Sequence, residues 1–426
     1  MLRRLTNYLI WLWIFFLPWQ TRWIISDPML EGSPWEYGRI SLYAGDIIFA
    51  VMVICSAIVW FKQREKIQIH KWQFLIFAAF IAWTGLSFIW AINPSVSAHY
   101  LLRLSQGILF LGILTIARPT YKLIFSSLII SAFIQSCIAV GQFAFQYSPA
   151  FKWLGLAGHN PCDLGQSVIE TGSGRFLRAY GSLPHPNILG GFLMFGFIAT
   201  CYAYSNIKSY KIWWFWPAII LITQGLMLCF SRSAWIGLAV ALSFVLLVFR
   251  KNKNILKRTL ICIAVFAAIA GINLAANFSL FASRIEAVNR IETISLAERE
   301  GQIDLSVQAI RENPLLGHGL GNYTAWLQEA VPGQPGYFYQ PVHNQYLLMI
   351  AEAGIIGFAL FFILIILLFK VRIFQKSPPE KTYIYSLMYA TLIIGLFDHY
   401  FWTSYTGILL FGLLVAMLIK HEDSTL

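Results

Sequence analysis

The stretch HNQYLLMIAEAGIIGFALFFILIILLF, residues 343 to 369, carries one charged side chain, Glu352, in 27 positions. About 20 consecutive apolar residues let a helix cross the hydrocarbon core of a bilayer. The stretch therefore predicts a transmembrane helix, entered through the polar group His343-Asn344-Gln345. Eleven further runs of this kind lie near 5 to 24, 39 to 61, 72 to 90, 99 to 117, 122 to 147, 187 to 205, 212 to 230, 232 to 249, 256 to 278, 382 to 400 and 403 to 420. Only Ser231 and Arg232 separate the seventh from the eighth. At 58% hydrophobic and 12% charged over 426 residues, the chain has about half the charged share of a soluble protein. The expected fold is an all-α polytopic membrane protein, a single bundle of about 12 transmembrane helices over residues 1 to 426.

The net charge of +12 points to an anionic partner only if it is spread over one soluble face. With the N-terminus inside, the two termini and the even-numbered connections hold 20 of the 31 Lys and Arg and only 4 of the 19 acidic residues. The positive-inside rule then places both termini in the cytoplasm. Topology accounts for the charge, and no nucleic-acid partner is expected. The inner connections are short and lack both GxxxxGK[ST] and GxGxxG, which excludes nucleotide-driven chemistry on that face.

The two long connections, 148 to 186 and 279 to 342, are external, so any chemistry is expected there. In the second, Leu296, Ile303, Val307 and Ile310 recur on one face of a helix, with Arg299 in the same sector. That helix should end at Asn313-Pro314, before a turn through Gly317, Gly319 and Gly321. Cys162 is the only cysteine outside the spans, which leaves no disulfide framework. A basic N-terminal start without a small-residue cleavage site predicts an uncleaved first helix.

Ionisable groups in spans are costly and mark function by default. Arg232, at the outer junction of two spans, is either an interfacial anchor or a fork of donors for phosphate oxygens. His343 is either structural or a base able to take a proton from a sugar hydroxyl. Asp46 and Arg103 lie one to two turns below the outer surface and are expected to form a structural ion pair. Glu352 reads as a hydrogen bonder inside the bundle. Asp398-His399 and the group Arg178 with His185-Pro186-Asn187 complete an external polar ring. With no DxD, HxxxH or HExxH on the outside, the expected site has neither metal nor cofactor. Without a GxSxG elbow, serine hydrolysis is disfavoured.

Three motifs carry a resemblance: Ser231-Arg232-Ser233-Ala234-Trp235, the run from Arg299 through Asn313-Pro314-Leu315-Leu316-Gly317-His318-Gly319-Leu320-Gly321-Asn322-Tyr323, and His343-Asn344-Gln345-Tyr346-Leu347 to Glu352-Ala353-Gly354-Ile355-Ile356-Gly357. In order and spacing they resemble the O-antigen ligase and O-antigen polymerase superfamily, over about residues 178 to 410. The resemblance implies a GT-C-like bundle with a large periplasmic loop containing short amphipathic helices. It also implies a metal-independent, inverting glycosyltransferase in the inner membrane that takes its glycan from an undecaprenyl-diphosphate carrier. Arg232 matches the arginine that binds the diphosphate, Arg299 the second arginine on the loop helix, and His343 the histidine that activates the acceptor hydroxyl. Arg178, His185 and Asn344 are placed beside them as substrate-binding residues. The segment Arg178 to Asn187 resembles an element of a subset of the family, without an assigned role. The chain departs from the family at Ile303, where Trp is common, and at His318, where an aliphatic residue is common.

The acceptor is a lipid or another glycan, and ligase and polymerase readings both stand. A transporter or flippase of the lipid-linked glycan is the alternative from another class. Its usual marks, repeated halves and a polar site at the midplane, are not found, because the polar residues gather at the outer rim.

Overall fold

The computed structural model describes residues 1–63, 69–163, 165–206, 213–286, 290–370 and 379–420. The basic connections at 64–68, 207–212 and 371–378, with Glu422 and Asp423, lie outside the described residues. The chain is mostly helical. The first five helices are α1 (Leu2–Phe16), α2 (Ala44–Gln63), α3 (Lys71–Leu86), α4 (Pro94–Ala117) and α5 (Tyr121–Phe145). A second group is α6 (Pro186–Asn206), α7 (Phe215–Leu228), α8 (Arg232–Val248) and α9 (Lys253–Ala276). The large loop contains α10 (Phe278–Glu286), α11 (Arg290–Glu312) and α12 (Tyr323–Ala330). The chain then returns through α13 (Gln345–Lys370), α14 (Pro379–Ile394), the single turn α15 (Tyr400–Thr403) and α16 (Tyr405–Ile419).

Among the described residues seven helices have the length and apolarity to cross a membrane: α2, α3 with its following turn, α4, α5, α6, α9 and α13. Three shorter apolar helices, α7, α8 and α16, pack with them. Burial differs sharply within this set. The apolar window of α6 is 94% buried and that of α9 only 17%, so α6 is the central post and α9 presents its surface outward. A helix apolar all round is stable in both places when the surroundings are lipid.

Two expectations change. The first apolar run does not continue to residue 24. Helix α1 stops at Phe16, Pro18 follows, and the segment to Tyr43 folds as paired strands: β1 (Arg22–Ser26) against β4 (Ile40–Tyr43), and β2 (Met29–Leu30) against β3 (Ser33–Pro34). The β-branched Ile24, Ile25 and Ile40 favour this pairing, and Asp27-Pro28 and Glu31-Gly32 supply the turns. Apolarity alone had merged these strands with the adjoining spans. The 148–186 connection likewise contains a hairpin, β5 (Val168–Thr171) with β6 (Gly174–Leu177), so the described long connections are not purely helical.

The second change concerns α11. It ends at Glu312, before Asn313-Pro314, but Ile303 is 45% exposed and the Leu296 side chain lies outside the described residues. The buried stripe is Ser306 and Ala309, with Gln302 and Arg299 half-buried in line with them. Small side chains at Ser306 and Ala309 let α11 approach α13 closely, and this close packing, rather than the bulkier apolar row, sets which face turns inward.

Helix α13 is broken at Gly354, whose φ of 69° is a left-handed value that glycine adopts at no steric cost. The break leaves carbonyls of Ala351 and Glu352 without helical partners, and the glycine-rich turn supplies them: His318 N–H donates to Ala351 O and Gly319 N–H to Glu352 O, both 2.9 Å. In return, Ile355 N–H donates to Pro314 O at 2.9 Å. A Cβ on Gly354 would stand 2.0 Å from Leu315 O, and one on Gly317 2.5 Å from Glu352 O. The glycine motif is therefore a backbone dock that fixes the end of α11 against the N-terminal half of α13.

Candidate active site

Helices α7 and α8 are separated by three residues, Cys229 to Ser231. The reversal is made by Phe230 at φ 48°, a left-handed value that costs a non-glycine residue about 1–2 kcal/mol. Its partners hold it there. Arg178 donates from Nε to Cys229 O at 2.9 Å and from Nη2 to Phe230 O at 3.4 Å. Arg284, on α10, donates from Nη2 to Phe230 O at 3.2 Å. Arg232 opens α8 from this turn and donates from Nη1 to Arg284 O at 2.9 Å. Three guanidinium groups thus gather at one turn. Arg284 carried no motif, and only its place in the folded loop reveals it.

The opposite wall is built at the start of α13. Asn344 caps this helix, its Oδ1 accepting from Tyr346 N at 3.0 Å and Leu347 N at 3.1 Å. Gln345 N–H donates to Gly395 O at 2.8 Å, and Asn344 Nδ2 to Leu396 O at 3.3 Å. This stitching brings His343 against the turn after α14. His343 Nδ1 lies 3.9 Å from Asp398 Oδ1, with the histidine side chain 24% and the aspartate side chain 5% exposed. The His343 and His399 rings are 5.2 Å apart, and Tyr37 from the first external segment meets His399 edge-on at 6.0 Å.

Asp398 is also held from a third side, Asn187 Nδ2 donating to its Oδ2 at 2.7 Å. Asn187 Oδ1 in turn accepts from Arg178 Nη2 at 2.6 Å, which joins the arginine turn to the histidine wall. His185 accepts from Asn187 N through Nδ1 at 3.1 Å and meets Ser167 Oγ through Nε2 at 2.9 Å. Arg299 is half-buried, and its Nε makes no hydrogen bond among the described residues. Its charge is nevertheless felt at His399.

The electrostatics follow from burial. Burial, with the neighbouring His343 next in size, pushes His399 down to about 3. Burial and the Arg178 charge push His185 down to about 3. Both imidazoles are neutral at pH 7. Burial opposes ionisation of Asp398, but the adjacent His343 outweighs it and holds the carboxyl below its ordinary range. The site therefore sets a buried carboxylate against a partly exposed imidazole, with cationic forks nearby.

Among the described residues, His343, Asp398 and His399 are also the one group with metal-ligand potential, their candidate atoms lying within 4.8 Å of one another. Their 55-residue separation gave the sequence no metal motif. Metal–nitrogen bonds of about 2.0–2.1 Å require ligand atoms no more than about 4.2 Å apart, so the group must contract to bind an ion.

Other buried charged residues are paired within the bundle. Arg103 Nη1 pairs with Asp46, and Gln106 Nε2 and Tyr43 N donate to the same carboxylate at 2.9 and 2.8 Å. Glu352 accepts from Trp402 Nε1 at 2.7 Å. His318 Nε2 meets Ala309 O at 2.9 Å, tying α11 to the glycine turn.

Residues 217–362 match the family model described as O-antigen ligase. That interval contains Arg232, Arg284, Arg299 and His343, and excludes Arg178, Asn187 and Asp398. An uncharacterized protein of Haemophilus influenzae is 28% identical over 193 residues, covering 42% of this chain and 48% of that protein. The chain spans about half the length of that relative. The match over residues 217–362 supports a relationship to the O-antigen ligase and polymerase superfamily.

Proposed function

We propose that the protein transfers a glycan from an undecaprenyl-diphosphate carrier to an acceptor hydroxyl at the outer face of the inner membrane, with both termini in the cytoplasm and some twelve crossings. The observation that carries this reading is the meeting of His343 and Asp398 at the start of α13, joined through Asn187 to the turn that bears Arg232.

His343 takes the acceptor proton on Nε2 while its Nδ1 faces Asp398. The 3.9 Å separation is longer than a hydrogen bond, and such pairs commonly tighten when substrate binds. Asp398 then orients the ring and stabilises the imidazolium, as a buried carboxylate does beside a catalytic histidine. The acceptor oxygen attacks the anomeric carbon from the face opposite the diphosphate, so one C–O bond forms as the other breaks and the configuration inverts. Charge grows on the departing lipid diphosphate, and Arg232 and Arg299 stabilise it there. The proton held on His343 leaves with the released diphosphate or with solvent.

A donor already activated by its diphosphate suits an external site, where no cytoplasmic ATP is at hand. The acceptor, lipid or glycan, separates ligase from polymerase. Purified protein with an undecaprenyl-diphosphate glycan and either a lipid acceptor or a second lipid-linked glycan is expected to give one elongated product class. No transfer to either acceptor, with flipping of the donor in vesicles instead, would replace the enzyme by a transporter.

A further inference from the structure

Arg178 was expected to contact substrate, and no role was assigned to Asn187, yet the two side chains bond to each other and to the walls of the site. Arg178 is 5% exposed, and its hydrogen bonds include those to two backbone carbonyls of the α7–α8 turn and to Asn187. Asn187 is placed by the start of α6: His185 accepts its N–H, Pro186 occupies the first helical position, and the side chain points between Arg178 and Asp398.

The chemistry of the three groups fixes the amide. A guanidinium only donates and a carboxylate only accepts, so Oδ1 of Asn187 must face Arg178 and Nδ2 must face Asp398. No flipped amide satisfies both neighbours. The same argument disposes of His185 as a base for Ser167, because Nδ1 accepts from Asn187 N–H and the neutral ring must then carry its proton on Nε2, donating to Ser167.

We propose that Asn187, held by Arg178, is a positioning residue that sets Asp398 against His343 and ties that pair to the turn bearing Arg232. An intervening amide does what a direct Arg–Asp bridge does not. It engages Oδ2 alone, while Oδ1 accepts from His399 N–H at 2.9 Å and lies 3.9 Å from His343 Nδ1, and Arg178 fixes the Phe230 turn with its other donors. The two halves of the site, brought from chain positions near 230 and 343, are thereby held in one register. This inference rests on the reading of His343 and Asp398 as a base and its orienter.

The test is a double-mutant cycle in the full-length purified protein, with Asn187→Leu and Asp398→Ala singly and together, read in two ways. In the transfer assay with an undecaprenyl-diphosphate glycan, Asn187→Leu is expected to lower kcat by about 10–100-fold, the scale of a misplaced catalytic group, with little change in donor KM. In the Asp398→Ala background the same substitution should have almost no further effect. A rise in donor KM that accounts for the loss, or additive losses, would overturn the positioning role and make Asn187 a substrate contact. Thermal unfolding of the same four proteins reads the bridge without reference to the reaction. Non-additive shifts with no transfer by wild type would sink the transferase reading and keep the bridge, whereas additive shifts would remove the bridge itself. If Asn187→Leu does not fold, Asn187→Ser replaces it in the same cycle, with the same two outcomes decisive.

Discussion

Two carboxylate clusters of the bundle differ in the partner each carboxylate faces and in how far that partner is enclosed. Around Asp46, Arg103 uses Nη1 on the carboxylate and Nη2 on Ser41 O at 2.7 Å, and its guanidinium lies 5.2 Å from the Tyr43 ring centre and 5.0 Å from that of Tyr405. Asp46 accepts from two further donors, and Arg103 is 3% exposed. Around Asp398 the carboxylate is anchored by Asn187 and by His399 N–H, but His343 Nδ1 and Arg299 Nε make no hydrogen bond among the described residues, and the His343 side chain is 24% exposed. A buried carboxylate paired with an enclosed guanidinium is a structural device, although Arg103 Nε and Gln106 Oε1 make no hydrogen bond among the described residues. A buried carboxylate facing an imidazole that still has bonds to make is where a reacting molecule fits.

The contrast is sharpest under substitution. His343→Ala is expected to lower transfer by about 10²–10⁴-fold, the usual contribution of a positioned general base, while leaving the unfolding temperature close to wild type. Arg103→Ala should do the reverse and lose about 3–5 kcal/mol of stability by leaving Asp46 buried and unpaired. Replacing both partners, Asp46→Leu with Arg103→Met, should recover most of that loss. Measuring kcat and thermal unfolding for all three separates the clusters. If His343→Ala unfolds the protein or Arg103→Ala abolishes transfer with the fold intact, the assignment of the two regions is reversed.

Much of the fold was legible because a bilayer demands long apolar runs. Spans such as Gln345–Lys370 and Lys253–Ala276 declare themselves by composition alone. The strands around Ile24, Ile25, Ile40 and Leu42 were not legible, because apolar strand residues next to a span extend the same hydropathy peak. Nor was the break at Gly354, since hydropathy is blind to φ. In the site, Arg232 and His343 stood out as polar residues at span ends. The Asp46–Arg103 pair was legible from depth, both residues lying near the same level of the bundle. Asp398 could not be matched to His343, nor Asn187 to Asp398, because those contacts join segments 55 and 211 residues apart and leave no periodic trace. Asn344 looked like a binding residue and caps a helix, which the string Asn-Gln-Tyr-Leu at a helix start signals in its own right.

A smaller effect separates the clusters by pH. His185 and His399 sit near 3 in the folded protein, against about 6.5 for a free imidazole. Between those values the unfolded chain binds protons that the folded chain refuses, so stability falls as pH drops below about 6.5. Each fully buried imidazole contributes a slope near 1.4 kcal/mol per pH unit. His185 is only half-buried, so solvent screening makes its share the smaller. Asp398 acts lower, because a depressed carboxyl gives stability that is lost only below about pH 4. Unfolding followed from pH 7 to 4.5 should therefore flatten in His399→Gln. Equal slopes in wild type and His399→Gln would mean that this imidazole is not held neutral by the fold.

The smallest expected effect concerns metal. His343, Asp398 and His399 offer two imidazoles and a carboxylate, a set that binds divalent transition metals when it is compact. Here the candidate atoms spread to 4.8 Å, His399 Nδ1 is engaged with Thr403 Oγ1 at 2.8 Å, and the Arg299 charge nearby repels a dication. His343 also cannot serve both as a ligand through Nδ1 and as a base paired through that nitrogen with Asp398. EDTA in the transfer assay is accordingly expected to leave the rate unchanged, and added Zn²⁺ to inhibit by competing for His343. Loss of transfer with EDTA, restored by one metal and absent in His399→Gln, would turn the open cluster from an acid–base pair into an ion site and end its contrast with Asp46 as one of hydrogen bonding alone.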